Sequence, residues 1–194
     1  MNPFDTWLYH LINNLSGHIA IVDALMKFLA NDSLEIYGIL FIITWFVLPK
    51  RDEARRHGLI VSVVSGVIAL VINVIIGHIW VRARPFVALP HGSFHQLVPH
   101  SKDASFPSDH TSGGSAFAFA AAHRGPKWLS RTFLTLAILV AFARVYVGVH
   151  WPTDVMAGFV VGFVGNLIGW KLERFFRPIT SIGLRLFHYG NYRK

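Results

Sequence analysis

Three short polar motifs contain the residue types that phosphoryl transfer through a histidine requires. Arg-Pro stands at residues 84–85, Pro-Ser-Asp-His at 107–110, and Arg-Val-Tyr-Val-Gly-Val-His-Trp-Pro-Thr-Asp at 144–154. Together they supply arginines for the phosphate charge, histidines for proton and phosphoryl transfer, and carboxylates that can orient a histidine ring. This chemistry needs no cysteine, and the chain has none.

The composition indicates that these motifs belong to a membrane protein. Of the 194 residues, 53% are hydrophobic and 14% are charged, and the mean hydropathy is +0.47, which is too apolar for an ordinary soluble domain. The length suits one domain, and at about 20 residues per crossing it has room for five or six spanning helices. We therefore predict an all-α integral membrane protein in which residues 1–194 form a single six-helix transmembrane bundle.

Hydropathy identifies some of the predicted spans more clearly than others. The clearest covers residues 58–80, where Asn73 and His78 are the only strongly polar side chains in a stretch long enough to cross the hydrocarbon core. Residues 11–30 carry several polar side chains, so this segment is predicted either to span the membrane or to lie in the interface as an amphipathic helix. The other predicted helices cover residues 34–48, 111–122, 128–149 and 155–170.

The distribution of basic residues predicts the orientation. If both termini lie on one side, thirteen of the 18 Lys and Arg residues fall in the connections 50–57 and 124–131 and in the tail from residue 171, which includes Arg193 and Lys194. The positive-inside rule assigns that side to the cytoplasm, so the three polar motifs should face outward. The net charge of +8 then reflects topology and attraction to anionic lipid, and nucleic-acid binding is disfavoured.

The connection at residues 81–109 is predicted to be functional because it is long for a simple turn. Ser108 follows a proline and precedes an acidic residue, so we expect it to cap the short helix that follows. A helix N-terminus presents unpaired N–H groups and partial positive charge, which suit a phosphate. His110 would lie beside that anion, although a capped helix with an exposed histidine is the simpler interpretation of this motif alone.

The last motif is harder to explain without a function, because polar clusters at membrane depth are costly unless they pair or line a wet cavity. Arg144 comes near the end of a predicted span, and Pro152 suits the first position of the next helix. His150 and Asp154 can then face one another across the helix junction. A carboxylate on one ring nitrogen would leave the other nitrogen as a better nucleophile. The alternative is an interfacial anchor at headgroup level.

These motifs resemble those of the type 2 phosphatidic acid phosphatase superfamily, whose pattern is Lys-x6-Arg-Pro, then Pro-Ser-Gly-His, then Ser-Arg-x5-His-x3-Asp. Asp109 stands in place of the superfamily's glycine, which is similar to the bacterial undecaprenyl-diphosphate phosphatase branch. The resemblance implies the family's six-helix layout over nearly the whole chain. It also implies a multi-pass protein of the bacterial cell (inner) membrane with an extracytoplasmic active site.

The resemblance also implies a role for each matching residue. His150 would be the nucleophile that forms a phosphohistidine, with Asp154 holding its ring, and His110 would protonate the leaving oxygen and then activate water. The phosphoryl oxygens would be bound by Arg84, Arg144 and Ser108. Because arginines and a helix end carry the charge, we predict no metal ion and no other cofactor. Metal-ligand spacing is not recognisable among the other histidines of the long connection, His91, His95 and His100.

Two positions lack the family's phosphate-binding residues: Gly77 stands where the family has lysine, and Ala143 where it has serine. Arg82 is predicted to be either a substitute phosphate ligand or a snorkelling interfacial arginine. Asp109 should repel a phosphate. It either complements the positive helix end or pairs with a neighbouring arginine, or it fixes His110 or a phosphate-binding arginine and so helps select a diphosphate.

The sequence thus predicts a membrane lipid-diphosphate phosphatase, and the resemblance implies hydrolysis of undecaprenyl diphosphate to undecaprenyl phosphate and phosphate, as in carrier recycling for peptidoglycan synthesis. The same residues would serve phosphatidic acid or phosphatidylglycerophosphate. Two other classes remain, a lipid-headgroup binding or transport protein and a structural membrane subunit. A binding protein would release no phosphate and would be indifferent to His150→Ala. The predicted partners are the lipid substrate and the bilayer, while tail specificity and oligomeric state stay open.

Overall fold

The computed structural model describes residues 2–192, which form helices and contain no strand. Arg193 and Lys194, part of the basic tail, lie outside the described residues. The all-α prediction is confirmed for the described part of the chain. In chain order the helices are α1 (Pro3–Asn13), α2 (Ala20–Asn31), α3 (Ser33–Val47), α4 (Glu53–Ile79), α5 (Pro85–Ala88), α6 (Asp109–Arg124), α7 (Lys127–Tyr146), α8 (Pro152–Lys171) and α9 (Arg177–Leu186), with 3-10 turns at Glu173–Phe176 and Gly190–Tyr192.

Three helices, α4, α7 and α8, are long and apolar enough to cross a membrane. The pair α2 and α3 qualifies only together and is bent by 66°, so it forms either a broken span or a re-entrant loop. The described residues therefore contain three or four candidate spans, and the predicted six-span bundle is not confirmed. The reason is length, since α1 has 11 residues and α6 has 16, while a perpendicular crossing needs about 20.

The N-terminal segment predicted at residues 11–30 is divided into two helices. α1 ends at Asn13 and α2 begins at Ala20, and Gly17 between them has a φ of +85°. This left-handed backbone is accessible to glycine at little steric cost. The prediction of one continuous helix was therefore wrong, because the turn at Gly17 interrupts it.

The centre of the fold is α6, which packs against α4, α7 and α8. Small residues make this close approach feasible, as is common where helices meet in lipid. A Cβ placed on Gly158 of α8 would lie 2.8 Å from the Cβ of Thr111 on α6. Because α6 and α8 are this close, their N-terminal ends, which carry two of the polar motifs, are held side by side.

Helix α1 is fastened over the same end of the fold. The Asn13 side chain donates to the backbone oxygens of His95 and Tyr146, both at 2.8 Å, and accepts from the His95 N–H at 2.8 Å. Tyr9, also on α1, is fully buried and packs against the ring of Trp151. The N-terminal helix, the long connection and the α7–α8 junction are thereby joined where the polar motifs lie.

Candidate active site

The site is built at the junction of α7 and α8. His150 lies in the connection between these helices, two residues before Pro152, and Asp154 lies in the first turn of α8, as the Pro152 position predicted. The His150 Nδ1 atom lies 3.4 Å from the Asp154 Oδ2 atom, and the His150 Nε2 atom lies 3.2 Å from an Nη atom of Arg84. The ring thus has Nδ1 within ion-pair distance of the carboxylate, without a hydrogen bond to it, and Nε2 beside a guanidinium.

The Asp154 carboxylate is held from several sides. Its Oδ2 atom accepts from the Trp151 backbone N–H at 2.8 Å and from the Ser105 hydroxyl. Its backbone oxygen accepts from the Ser108 N–H at 3.1 Å, which joins the start of α8 to the start of α6. A carboxylate fixed by this many donors has one orientation, so it can fix the orientation of the imidazole beside it.

The surroundings of His150 favour its neutral form. The side chain is buried in the connection between the two helices, and this burial lowers its pKa well below the ordinary histidine value. The positive charges of Arg144 and Arg84 lower the pKa further. A neutral imidazole is the form that can act as a nucleophile.

Two buried arginines flank the histidine. Arg84 stands at the start of α5 and donates to the Val149 oxygen at 3.0 Å and to Asp103 Oδ1 at 2.8 Å. Arg144 lies in the last turn of α7 and donates to the Ala30 oxygen at 2.9 Å. Its Nε atom is buried and finds no hydrogen-bond partner among residues 2–192. Paired guanidinium groups of this kind suit the oxygens of a phosphate.

One short segment of the long connection contacts both arginines, through His100 and Asp103. Arg144 donates to His100 Nε2 at 2.8 Å, and Arg84 forms an ion pair with Asp103. Burial lowers the pKa of His100, and the two arginines lower it further, which keeps this nitrogen available as an acceptor. The sequence analysis assigned His100 no role in the site and missed this contact. Its place in the connection between two of the polar motifs was the available signal.

The start of α6 has the predicted position but lacks the predicted cap. Ser108 is the N-cap residue, yet no side-chain cap hydrogen bond forms within the described residues. Its hydroxyl instead accepts from the Thr111 hydroxyl at 3.3 Å. His110 follows in the first turn, half-buried, and its burial together with the positive charge of Arg144 lowers its pKa to about 3. The helix end therefore leaves its first N–H groups uncovered by Ser108, as an anion site requires.

Asp109 is held by α4 rather than by the residues that the sequence suggested. Its Oδ1 atom accepts from the Asn73 side-chain amide at 2.7 Å, and Asn73 also donates to the Ser112 hydroxyl at 3.0 Å. This contact does not support an arginine pair or a direct hold on His110. Sequence reasoning noted Asn73 as an exception in an apolar span, and polar residues in such helices usually have partners.

Arg82 lies between two carboxylates. It donates to Asp5 Oδ2 and to Asp154 Oδ1, both at 2.6 Å, and to the Thr153 hydroxyl at 2.7 Å. This geometry supports neither predicted role of Arg82, phosphate ligand or snorkelling residue, because its guanidinium is already bound inside the protein. The partner Asp5 was missed by sequence reasoning, since nothing in the sequence links residues 77 positions apart.

A buried histidine with a carboxylate on one side and guanidinium groups on the other is suited to phosphoryl transfer, here within a multi-pass membrane protein. Comparison with known proteins agrees with this class. The model of the PAP2 superfamily matches residues 58–177, which include all three polar motifs. The chain belongs to the PAP2 superfamily of membrane phosphatases, in agreement with the resemblance of its motifs.

Individual relatives differ in the lipid that their names specify. The undecaprenyl-diphosphatase BcrC of Bacillus subtilis is 31% identical over 93% of this chain and 90% of the relative. A lipid A 1-phosphatase of Rhizobium johnstonii is 38% identical over 60% of this chain and 51% of the relative. The crystal structure of Aquifex aeolicus LpxE covers 88% of this chain and 96% of its own with a TM-score of 0.71, and at 22% identity it shows the fold alone.

Proposed function

We propose that this protein hydrolyses undecaprenyl diphosphate to undecaprenyl phosphate and inorganic phosphate through a phosphohistidine on His150. The whole chain would act as one membrane phosphatase domain. The observation that carries the proposal is the position of the His150 ring, with Nδ1 3.4 Å from Asp154 and Nε2 3.2 Å from Arg84. A phosphate on the arginines would lie in front of the nucleophilic nitrogen.

Substrate binding would use the two arginines and the start of α6. The terminal phosphate would take the free Nε atom of Arg144 and would compete with His100 and Asp103 for the remaining donors. Uncovered N–H groups at the start of α6 add donors and partial positive charge. These groups also face the charge that develops in the transition state.

In the first chemical step, His150 Nε2 would form a bond to the terminal phosphorus while the bridging P–O bond breaks. His110 would give a proton to the departing oxygen, and the negative substrate charge favours the protonated form of His110. Asp154 stabilises the positive charge that appears on the His150 ring. The leaving group is a phosphomonoester, which leaves more easily than an alkoxide.

In the second step, His110 would take a proton from water, and the oxygen of that water would form a bond to phosphorus as the Nε2–P bond breaks. The products are inorganic phosphate and a neutral His150. The same residue thus acts first as an acid and then as a base. Neither step requires a metal ion, since guanidinium and N–H groups hold the phosphoryl charge.

The choice of a polyprenyl diphosphate rests on the relative from Bacillus subtilis, which matches nearly the whole chain, and on the leaving group. The partial match to a lipid A 1-phosphatase makes a phosphorylated glycolipid the second candidate substrate. The excess of basic residues in the connections opposite the motifs supports an extracytoplasmic site in a bacterial inner membrane. We further propose that this activity recycles the lipid carrier for peptidoglycan synthesis.

The test is phosphate release from undecaprenyl diphosphate by detergent-purified protein in EDTA. Lipid A and phosphatidic acid serve as competing substrates, and His150→Ala and His91→Ala are the variants. We expect release by the parent and by His91→Ala, whose residue is exposed and lies in the long connection, and none by His150→Ala. Preference for lipid A would overturn the substrate, and an active His150→Ala protein would overturn the nucleophile.

A further inference from the structure

One buried ion network joins the first helix of the chain to the proposed catalytic machinery. Arg82 donates through one Nη atom to Asp154 and through the other to Asp5, both at 2.6 Å. The two carboxylate residues are 0% and 1% exposed, respectively. Buried carboxylates are costly unless they are paired, so a guanidinium shared between two of them indicates a constrained arrangement.

Asp5 also holds the first turn of α8. Its Oδ1 atom accepts from the Thr153 backbone N–H at 2.9 Å, and its Oδ2 atom accepts from the Thr153 hydroxyl at 2.7 Å. Thr153 directly precedes Asp154 and itself receives a hydrogen bond from Arg82. An acidic group at this place also satisfies a free N–H at the positive end of the helix. Asp5 therefore fixes both the arginine and the backbone that present Asp154.

The two oxygens of Asp154 have different tasks. Oδ1 is bound by Arg82, while Oδ2 is bound by the Trp151 N–H and lies 3.4 Å from the His150 ring. Because Arg82 holds Oδ1, the carboxylate cannot rotate without losing an ion pair. The guanidinium also lies 5.5 Å from the centre of the Trp151 ring, which limits its own movement.

We propose that Asp5 and Arg82 are positioning residues that act on catalysis through Asp154. They hold the carboxylate so that Oδ2 faces His150 Nδ1 and so that the Nε2 atom stays directed at the phosphate. This inference rests on the proposed function of His150. Arg82 is thereby assigned a positioning role instead of phosphate binding. The N-terminal helix α1, which carries Asp5, then contributes to kcat.

The test measures kcat and KM for phosphate release by Asp5→Asn, Arg82→Lys and Arg82→Met, with the melting temperature of each purified protein. In metal sites, loss of a partner that orients a metal ligand typically lowers affinity or activity about 10- to 100-fold, and we expect a loss of this scale here. We expect a lower kcat with KM changed less than about twofold, because the phosphate ligands are untouched. Arg82→Lys should recover part of the kcat that Arg82→Met loses, because lysine keeps the positive charge but lacks the planar guanidinium that binds two carboxylates at once.

Asp23→Asn is the matched control. Asp23 also fastens the N-terminal part of the chain, accepting from the Tyr146 hydroxyl at 2.8 Å and the Gly17 N–H at 3.0 Å. Within residues 2–192 the Asp23 side chain bonds to neither Arg82 nor Asp154, so its replacement should leave kcat near that of the parent. An equal loss of kcat in Asp23→Asn and Asp5→Asn would show that kcat depends only on attachment of the N-terminal part of the chain to the rest of the fold. That result would overturn the proposal.

A double substitution separates action through Asp154 from a general structural effect. In an Asp154→Asn background, Asp5→Asn should lower the residual kcat by less than about twofold, because the group it acts through is gone. A full, additive loss would overturn the proposal, as would a raised KM with unchanged kcat for Arg82→Met. If Asp5→Asn does not fold, Arg82→Lys decides, and a parental kcat there overturns the proposal. A parent protein without activity would instead overturn the proposed function.

Discussion

Replacement of Asp154 by asparagine tests the arrangement of the nucleophile most sharply. The amide has almost the same shape as the carboxylate, so the packing of α8 against α6 should persist. The carboxylate now lies 3.4 Å from His150 Nδ1 and accepts from the Trp151 N–H. An amide places its NH2 group either at the Oδ2 position, where it faces the ring and favours the tautomer with the proton on Nε2, or at the Oδ1 position, where it faces the Arg82 guanidinium. The first orientation removes the nucleophilic nitrogen, the second loses the ion pair that holds the side chain, and both remove the negative charge behind the ring.

The expected magnitude follows from the loss of both tautomer control and charge. The equivalent exchange behind a catalytic histidine lowers kcat by about 10⁴ in the serine protease triad, which corresponds to about 5.5 kcal/mol at 1.36 kcal/mol per tenfold. We expect a loss of this order in kcat for Asp154→Asn, measured by phosphate release from the diphosphate lipid. The melting temperature in detergent should fall, because Arg82 loses one of its two buried partners.

Two results would refute this reasoning. A loss of kcat smaller than about tenfold, in a protein that stays folded, would mean that Asp154 does not orient the nucleophile. A loss confined to KM would place Asp154 in binding rather than in catalysis. Asp52→Asn is a matched control, since Asp52 caps α4 and pairs with Arg55 and has no role in the site.

Three further predictions concern the surrounding residues. Arg144→Lys keeps the charge but loses the guanidinium fork, so we expect kcat/KM to fall at least about tenfold in phosphate-release assays, as for a lost hydrogen bond to a charged group. Because the folded pKa of His100 is lowered, the unfolded chain binds more protons below pH ~6.5, so stability falls as the pH is lowered; melting curves recorded at decreasing pH should show a smaller fall for His100→Gln. Asp109→Asn should leave the ratio of diphosphate to monophosphate turnover unchanged, because Asp109 bonds to Asn73; a changed ratio would show that it selects the substrate.

The features that the sequence predicted best depend on local rules. Pro152 at the start of a helix and the spacing from His150 to Asp154 were enough to predict that these two side chains face each other. The apolar run of residues 58–80 likewise predicted most of α4. Such features follow from helix geometry and hydropathy, which a single sequence displays directly.

The features that the sequence did not predict depend on contacts between distant residues. Asp5 and Arg82 meet only when α1 is folded over the end of α8. The Ser108 hydroxyl accepts from Thr111 and makes no cap to the backbone of α6. The predicted number of spans is not confirmed, because hydropathy alone does not distinguish a short central helix such as α6 from a helix that crosses the bilayer.

The most direct test of the account is to trap the phosphorylated enzyme. Purified protein is mixed with undecaprenyl diphosphate labelled with ³²P in the terminal phosphate, and the reaction is stopped within milliseconds in alkali, where phosphohistidine survives. The account predicts label on the peptide that contains His150, stable to alkali and lost in acid, and absent from His150→Ala. Rapid release of labelled phosphate without any labelled protein, or label on another residue, would contradict it.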